Sequence, residues 1–296
     1  MRLIIFTTGM RGFTLIKYLI EMGYDVAAII VPKATDVRFV KETIGNSNLV
    51  VITTDEPNTQ EFLASLYEIQ PDVLISAGYN KILKEKILAV PKLGAINLHA
   101  GRVPQYRGGS PMNWQIINGE KSAWISVLSL TTELDNGPVL AEAEIPIGEA
   151  DDISSMHAKA NAIFPKITLD ALDRLKNKQV LREQNEKFAR YFHQRSDYDG
   201  LINWDKMAAE EVFNLTRALA SPYLGAYTFL DRRKLRIFSV SVHQFPLRGT
   251  PGRVGFISGI GPLVVCKIGC VLLKSFKYDD GIIPRLGNGY YFCSKD

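Results

Sequence analysis

A chain of 296 residues, 46% hydrophobic and 22% charged, has the balance of a globular protein long enough for two cores. Its net charge of +4 is small for that length and lacks the concentrated basicity of a duplex or tRNA binder. The charge is uneven, however: residues 200–296 hold thirteen Lys and Arg against seven Asp and Glu, leaving the earlier part slightly acidic. Cys266, Cys270 and Cys293 are odd in number and lack metal-ligand spacing, which favours a reducing, cytoplasmic setting without a disulfide framework or a zinc site. The apolar start, Leu3 to Phe6, is too short for a signal peptide, and no stretch approaches the ~20 apolar residues of a membrane span.

In chain order, Leu3–Thr7 reads as a buried strand ending at Gly9, followed by Phe13, Ile16, Leu19 and Ile20 at helical spacing and a second strand over Val26–Val31. Further strands are predicted at Val50–Thr53, Asp72–Ala77 and Ala95–His99, with an amphipathic helix over Gln60–Ile69. This alternation predicts an α/β protein with a doubly wound, mostly parallel sheet, whose ligands sit at the carboxyl ends of the strands. Gly9-Met10-Arg11-Gly12 does not fit the GxGxxG dinucleotide fingerprint, and no acidic residue ends the second strand. The reading preferred for Met10 and Arg11 is a tight turn opening onto a substrate at a helix N-terminus.

A helical pattern covers Met112–Asn118, strands return at Ile125–Leu130 and Ala141–Ile147, and a long helix is predicted over Ile153–Asn177. A polar stretch, Lys176–Asn185, loosens the chain. Beyond Asn214–Ala220, short strands follow at Ala226–Leu230, Leu235–Val242, Gly252–Ile257, Leu263–Lys267 and Val271–Phe276, the spacing of a small β-barrel or sandwich. The division expected is 1–185 for a catalytic domain, 186–222 for a linker and connecting helix, and 223–296 for a small β-barrel-like domain.

Chemistry concentrates in Gly94-Ala95-Ile96-Asn97-Leu98-His99-Ala100-Gly101. On a strand, residues two apart share a face, so Asn97 and His99 project together. Two polar side chains at the end of an otherwise apolar parallel strand need a partner or a purpose, and a hydrogen-bonded structural histidine is the competing explanation. A loop of turn residues with two arginines follows, Arg102-Val103-Pro104-Gln105-Tyr106-Arg107-Gly108-Gly109-Ser110-Pro111. Glu133-Leu134-Asp135-Asn136-Gly137-Pro138 places a carboxylate in a turn between two strands, which by composition alone is an ordinary hairpin turn.

Asn97-Leu98-His99, Pro104, Tyr106-Arg107-Gly108, Pro111, Asn118-Gly119-Glu120 and Asp135-Asn136-Gly137 together resemble the formyltransferases that use 10-formyltetrahydrofolate. The resemblance implies a Rossmann-like formyltransferase domain and catalytic roles for Asn97, His99 and Asp135. It extends to Ser76-Ala77-Gly78-Tyr79-Asn80-Lys81-Ile82-Leu83, similar to the family segment that wraps the pterin end of the folate. Gly78, Tyr79, Lys81, Ile82 and Leu83 are thereby implied in cofactor binding, with Leu134, Asn136 and Gly137 from the facing turn. Ile202-Asn203-Trp204, Arg217-Ala218, Pro222 and Gly225-Ala226 resemble the family's linker and the opening of its second domain, and the likeness weakens after about Arg248.

Such a reaction must take a proton from an amine and stabilise an oxyanion. An imidazole exchanges a proton near neutrality, which suits His99, with Asp135 supplying the field around it. An amide N–H suits Asn97 to the oxyanion, and one such donor is typically worth ~3 kcal/mol of barrier. No metal is required.

For the acceptor, the segment from Gln105 to Trp114 and Ile117-Asn118-Gly119-Glu120 resembles sugar N-formyltransferases of bacterial surface polysaccharide synthesis. That likeness implies a dTDP- or UDP-linked amino sugar held by Met10, Arg11, Arg102, Gln105, Tyr106, Arg107 and Ser110, with the arginines neutralising its diphosphate. Departures exist, since Ala100 and Arg102-Val103 stand where the broader family often has Gly and Ser-Leu-Leu. Methionyl-tRNA is the alternative acceptor. Formyltransferases acting on it usually carry a basic Gly/Pro-rich loop after the second strand, and Pro32-Lys33-Ala34-Thr35-Asp36-Val37-Arg38-Phe39-Val40-Lys41-Glu42 lacks one. Arg232-Arg233-Lys234 is the counter-signal, a basic turn able to touch RNA. The partners expected are a nucleotide sugar and a second copy of the chain, with neither nucleic acid nor membrane. Glycinamide ribonucleotide is a weaker candidate acceptor because formyltransferases acting on it usually consist of the first domain alone.

Overall fold

A computed structural model describes residues 1–294; the last two residues of the expected 223–296 domain lie outside the described part. The chain forms two compact units, one comprising Met1–Pro111, Trp124–Ile145 and Ala158–Phe192, the other Met112–Ala123, Pro146–His157 and the chain from His193 onward.

In the first unit, β1 (Arg2–Thr7), α1 (Met10–Glu21), β2 (Asp25–Val31), α2 (Val37–Ile44), β3 (Val51–Thr53), α3 (Gln60–Ile69), β4 (Val73–Ala77), α4 (Glu85–Leu88) and β5 (Ala95–His99) alternate as the hydrophobic pattern predicts. Along the chain there follow a short strand β6 (Arg107–Gly108), helix α5 (Pro111–Ile117), which belongs almost wholly to the second unit, strands β7 (Ser122–Ser129) and β8 (Val139–Pro146), helix α6 (Ile153–Lys176) and a second short strand β9 (Tyr191–Phe192). Seven strands make one sheet in the order β3-β2-β1-β4-β5-β7-β8, parallel from β3 through β5 and antiparallel between β5 and β7. The mostly parallel α/β expectation is met.

Leu3, Ile4, Ile5 and Phe6 have no solvent exposure, as an inner parallel strand with both faces covered requires. Phe6, Ile30, Phe62, Leu74 and Leu83 join one core cluster. Each such side chain contributes about 1.5–3 kcal/mol on burial. Strand order reverses at β1, where β2 lies on one side and β4 on the other, and this reversal creates a crevice beyond the strands' carboxyl ends. Thr7, Ala77 and His99 are the residues in which β1, β4 and β5 end there.

The stretch after β2 contains a helix, α2, beyond the expected elements, with Val37, Val40 and Ile44 at helical spacing and the last two buried. Its start is carried by Asp36, whose carboxylate accepts from the amides of Arg38 at 2.8 Å and Phe39 at 3.3 Å, and its end by Gly45 in the left-handed region.

The second unit contains α7 (Ala209–Ala218) and an antiparallel five-stranded sheet of β10 (Ala226–Leu230), β11 (Arg233–His243), β12 (Val254–Ile257), β13 (Gly261–Val265) and β14 (Cys270–Tyr278), in the order β10-β11-β14-β13-β12. Trp204 is buried within it and donates its indole N–H to Thr228 Oγ1 at 2.9 Å. Among the described residues, no helix is long and apolar enough to cross a membrane.

Candidate active site

β5 lies with Ser76 of β4 beside Asn97, and with Leu128 and Ser126 of β7 beside Asn97 and His99. The His99 ring is 5% exposed, and its Nε2 lies 2.6 Å from the carbonyl oxygen of Tyr106. A carbonyl only accepts, so Nε2 bears the proton and donates it. Nδ1 therefore carries the lone pair of the neutral ring, and it faces Asp135 Oδ2 at 3.5 Å. A Cβ on Gly101 would stand 2.7 Å from both His99 Nε2 and the Tyr106 oxygen, so glycine is what lets the chain turn back over the imidazole.

Asp135 sits in the 131–137 turn between β7 and β8 with φ +50°, a left-handed conformation that aspartate tolerates better than most residues. Its side chain is only 10% exposed. Burying a carboxylate requires donors. Oδ1 accepts from Asn97 Nδ2 at 3.3 Å and Oδ2 from the Gly108 amide at 2.9 Å. The turn is braced locally, since Thr131 Oγ1 donates to Asn136 Oδ1 at 2.7 Å and Asn136 Nδ2 donates to the Glu133 carboxylate. The three residues expected to be catalytic thus converge, with Asp135 touching both of the others.

The remaining expected residues divide. Gly78 follows β4, takes a hydrogen bond from Thr8 Oγ1 at 2.5 Å on its carbonyl, and lies beside Arg11, whose Nη1 donates to the carbonyl of Leu98 at 3.2 Å while its guanidinium covers Phe164. Arg102 is exposed and lies 4.8 Å over the Trp124 ring. Gln105 Oε1 is buried and meets no donor among the described residues. Met10 and Leu134 are more than half exposed. Gly137 is packed so closely that a Cβ would lie 2.0 Å from the Ser129 carbonyl oxygen. Ser110 has φ +49° at the end of the loop.

Tyr79 packs edge-on against Phe6, and burial together with the Asp55 carboxylate pushes its phenol up to about 12, so it stays protonated. Lys81 and Ile82 line an open cavity of about 540 Å³ with Asp55, Asn58, Thr59 and Asn80. The Leu83 side chain belongs to the core, which leaves only its backbone for a ligand.

Two residues expected at the substrate are scaffold. Tyr106 is buried and stacked on Phe192 at 5.1 Å. Arg107 has no solvent exposure, and its guanidinium is surrounded by Glu186, Gln184 and the Tyr191 hydroxyl. The Glu186 hydrogen bond raises the arginine's pKa, so it remains a cation, but one spent inside the protein. This corrects the expectation that Arg107 meets a diphosphate, because buried hydrogen bonds already occupy the fork that would grip it.

Three groups at the site have roles that the sequence reading does not assign: the carbonyl of Tyr106, a residue expected instead at the substrate, the Gly108 amide and the Gln184 side chain, whose Nε2 donates to the carbonyls of Asp135 and Gly137. The first two are main-chain groups and leave no mark in a sequence. Gln184 lies in the polar stretch expected to loosen the chain.

Residues 12–172 match the family model for formyl transferase, and residues 195–283 match that for the formyl transferase C-terminal domain. The chain is 33% identical over 290 residues to the bifunctional polymyxin resistance protein ArnA of Wigglesworthia glossinidia brevipalpis, a match covering 95% of this chain and 43% of that protein, so it spans less than half of that relative. It is 30% identical over 307 residues to a methionyl-tRNA formyltransferase of Acetivibrio thermocellus, covering 99% of this chain and 96% of that one. The N-formyltransferase of Helicobacter canadensis, solved with folinic acid and dTDP-3-aminofucose, shares the fold with a TM-score of 0.67 at 16% identity, over 93% of this chain and 99% of that one.

Proposed function

Because the chain belongs to the formyl transferase family, we propose that it moves a formyl group from 10-formyltetrahydrofolate to the amine of a nucleotide-linked amino sugar, with Asn97, His99 and Asp135 as its chemical centre. The observation that carries this reading is the convergence of an amide, an imidazole and a carboxylate at the carboxyl end of β5, with Asp135 within 3.5 Å of both Asn97 and His99.

The donor set fits a folate. Backbone groups of the Gly78–Leu83 segment and the 134–137 turn would hold the pterin, and an acceptor such as the buried Gln105 Oε1 is available for a polar ligand group. When bound, the folate supplies a formyl group on a nitrogen that can leave. His99 Nδ1 takes the proton that the attacking amine must lose, while the Tyr106 carbonyl fixes the proton on Nε2. The carboxylate of Asp135 lies 3.5 Å from Nδ1, so the positive charge the ring takes up sits beside a negative one. Asn97 Nδ2 has two hydrogens, so one can hold Asp135 while the other meets the negative charge developing on the formyl oxygen.

For the acceptor, Arg102, exposed over the Trp124 ring, is the cation placed to receive a diphosphate, with Arg11, engaged by the Leu98 carbonyl and Phe164, as a second positive charge. Two features argue against a tRNA. Arg233 and Lys234 of the basic turn are already paired, with Asp280 at 2.6 Å and Asp197 at 3.1 Å. In the segment after β2, Arg38 pairs with Glu42 at 3.0 Å within a short capped helix. Methionyl-tRNA stands as a second reading because of the 30% identity to a methionyl-tRNA formyltransferase over nearly both whole chains.

The test supplies purified protein and 10-formyltetrahydrofolate with a panel of dTDP- and UDP-linked amino sugars, with methionyl-tRNA, or with no amine. A formylated sugar is expected. Formylation of methionyl-tRNA with failure on every sugar reverses the choice of acceptor, and formate release without amine indicates a hydrolase instead.

A further inference from the structure

Beyond α6 the chain carries Gln184, and its carboxamide uses both ends. Oε1 accepts from Arg107 Nε at 3.0 Å and from Arg107 Nη2 at 2.8 Å, while Nε2 donates to the carbonyls of Asp135 at 2.9 Å and Gly137 at 2.7 Å. A carboxamide offers two lone pairs and two hydrogens, and all four are engaged. The partners lie 77 residues away at Arg107 and 49 residues away at Asp135, so this is a tertiary link between separate parts of the chain.

Arg107 is itself immobilised. It has no exposure, Tyr191 and Glu186 close the remaining sides of its guanidinium, and its strand β6 pairs with β9. The next residue, Gly108, gives its amide to Asp135 Oδ2. Asp135 is therefore held twice by one assembly: at its carboxylate by the amide beside Arg107, and at its main-chain carbonyl by the glutamine that Arg107 grips. A non-glycine residue at φ +50° relaxes unless its surroundings hold it. With 3.5 Å already separating Asp135 Oδ2 from His99 Nδ1, a small rotation of the turn separates the two groups.

We propose that Gln184 is a positioning residue for formyl transfer: its two amide hydrogen bonds set the 135–137 turn so that the Asp135 carboxylate faces His99, and Arg107 orients Gln184 for that task. The proposal rests on the reading that Asp135 serves in the reaction. It assigns a role to the segment beyond α6, with Arg107 as its anchor.

Gln184→Glu keeps length and the oxygen facing Arg107 but turns a carboxylate toward two carbonyl oxygens; Gln184→Met keeps volume alone. Both are expected to lower kcat by ~10-fold or more, the scale on which a small misplacement of a catalytic group is felt, with KM for donor and acceptor changed by less than ~3-fold. Gln184→Asn, which keeps donor and acceptor at shorter reach, should recover part of the loss. In an Asp135→Asn background, Gln184→Glu should cost at most ~2-fold, since a residue acting through Asp135 has nothing left to position.

Parental kcat in Gln184→Glu, or its full loss repeated in the Asp135→Asn background, overturns the proposal. If Gln184→Glu does not fold, Gln184→Met carries the same comparison. Parental activity in Asp135→Asn alone overturns the functional reading and this proposal with it, whereas an inactive Asp135→Asn beside a parental Gln184→Glu overturns the proposal only.

Discussion

The turn at 131–137 in the first unit and the turn at 231–232 that leads into Arg233 and Lys234 of β11 in the second each place an aspartate at positive φ, 50° for Asp135 and 51° for Asp231. Both are rich in charge and would be scored alike by composition. Around Asp135 the chain folds inward: the carboxylate takes two hydrogen bonds and faces an imidazole, and the carbonyl takes a third from Gln184. Around Asp231 it folds outward, with Asp231, Arg232 and Arg233 exposed and the cations of Arg233 and Lys234 matched to Asp280 and Asp197. A strained turn becomes a candidate site when donors from distant parts of the chain collect on it, and a solvated charge cluster when carboxylates merely neutralise it. Variants in the two turns should therefore differ in what they disturb.

The largest effect belongs to the inward turn. Asp135→Asn or His99→Asn should lower turnover by at least ~100-fold, because the first removes the charge that faces the imidazole and the second the group that takes the proton, and Asp135→Asn, which keeps the side-chain volume, should leave thermal unfolding close to the parent. Near-parental turnover at saturating substrate in either variant would remove that residue from the mechanism and erase the contrast between the turns.

Gly137→Ala comes next and acts through the backbone. Its Cβ would meet the Ser129 carbonyl oxygen at 2.0 Å, and main chain cannot swing aside as a side chain can. The turn must move, at a cost of about 1–3 kcal/mol of stability and a drop in turnover through Asp135. Thermal melts and rates measured together check this, and an unchanged melting temperature would mean that the turn is looser than its packing indicates.

How much of this is legible in the sequence follows from the range of the interactions. The strands and helices of the first unit rest on local apolar periodicity, and Gln60–Ile69 and Ala95–His99 fall on the residues the pattern marks. Asn97 and His99 are visible as a same-face polar pair on an apolar strand, and Asp135 as a turn carboxylate that a family likeness sets apart. Helix α2 has its signal in Asp36 and Gly45, a cap and a stop, with Val37, Val40 and Ile44 at helical spacing between them, in a segment short enough to pass for a loop. Arg107 misleads because burial is a tertiary property, and an arginine in a Gly-rich loop looks the same whether it faces solvent or Glu186. Gln184 gives no signal, since its partners come from chain segments far away in sequence.

A pH measurement sharpens the outward turn. The hydrogen bond from Arg236 holds Asp197 below the ordinary carboxylate value of 3.8, against a smaller opposing push from burial, and Lys234 adds to the lowering. A lowered folded value means that the contribution to stability is fully present above about pH 4, the unfolded value, and is lost as pH falls from there through the lower folded value. Asp197→Asn should cost ~1 kcal/mol or less at neutral pH, since the carboxylate is about one-third exposed, and the difference from the parent should vanish in acid. A difference that persists unchanged at low pH would assign the loss to packing instead.

The smallest effect expected is at the basic turn itself. If Arg232, Arg233 and Lys234 met phosphates, neutralising them would lower tRNA affinity and flatten its dependence on salt by roughly one unit of slope for each phosphate left unpaired. Arg233 and Lys234 already have carboxylate partners, and Arg233 also lies 3.8 Å over the Tyr278 ring, so recruiting either to RNA would first require breaking those interactions. Substituting all three with Gln should leave formylation of an amino sugar within ~2-fold of the parent and leave the salt slope of any residual tRNA binding unchanged, with a modest loss of stability at most, as partly exposed ion pairs allow. A slope reduced by roughly two or three units would make this turn an RNA-binding element and favour methionyl-tRNA as acceptor. The Asn97, His99 and Asp135 assignment does not depend on the outcome, because it rests on a different turn.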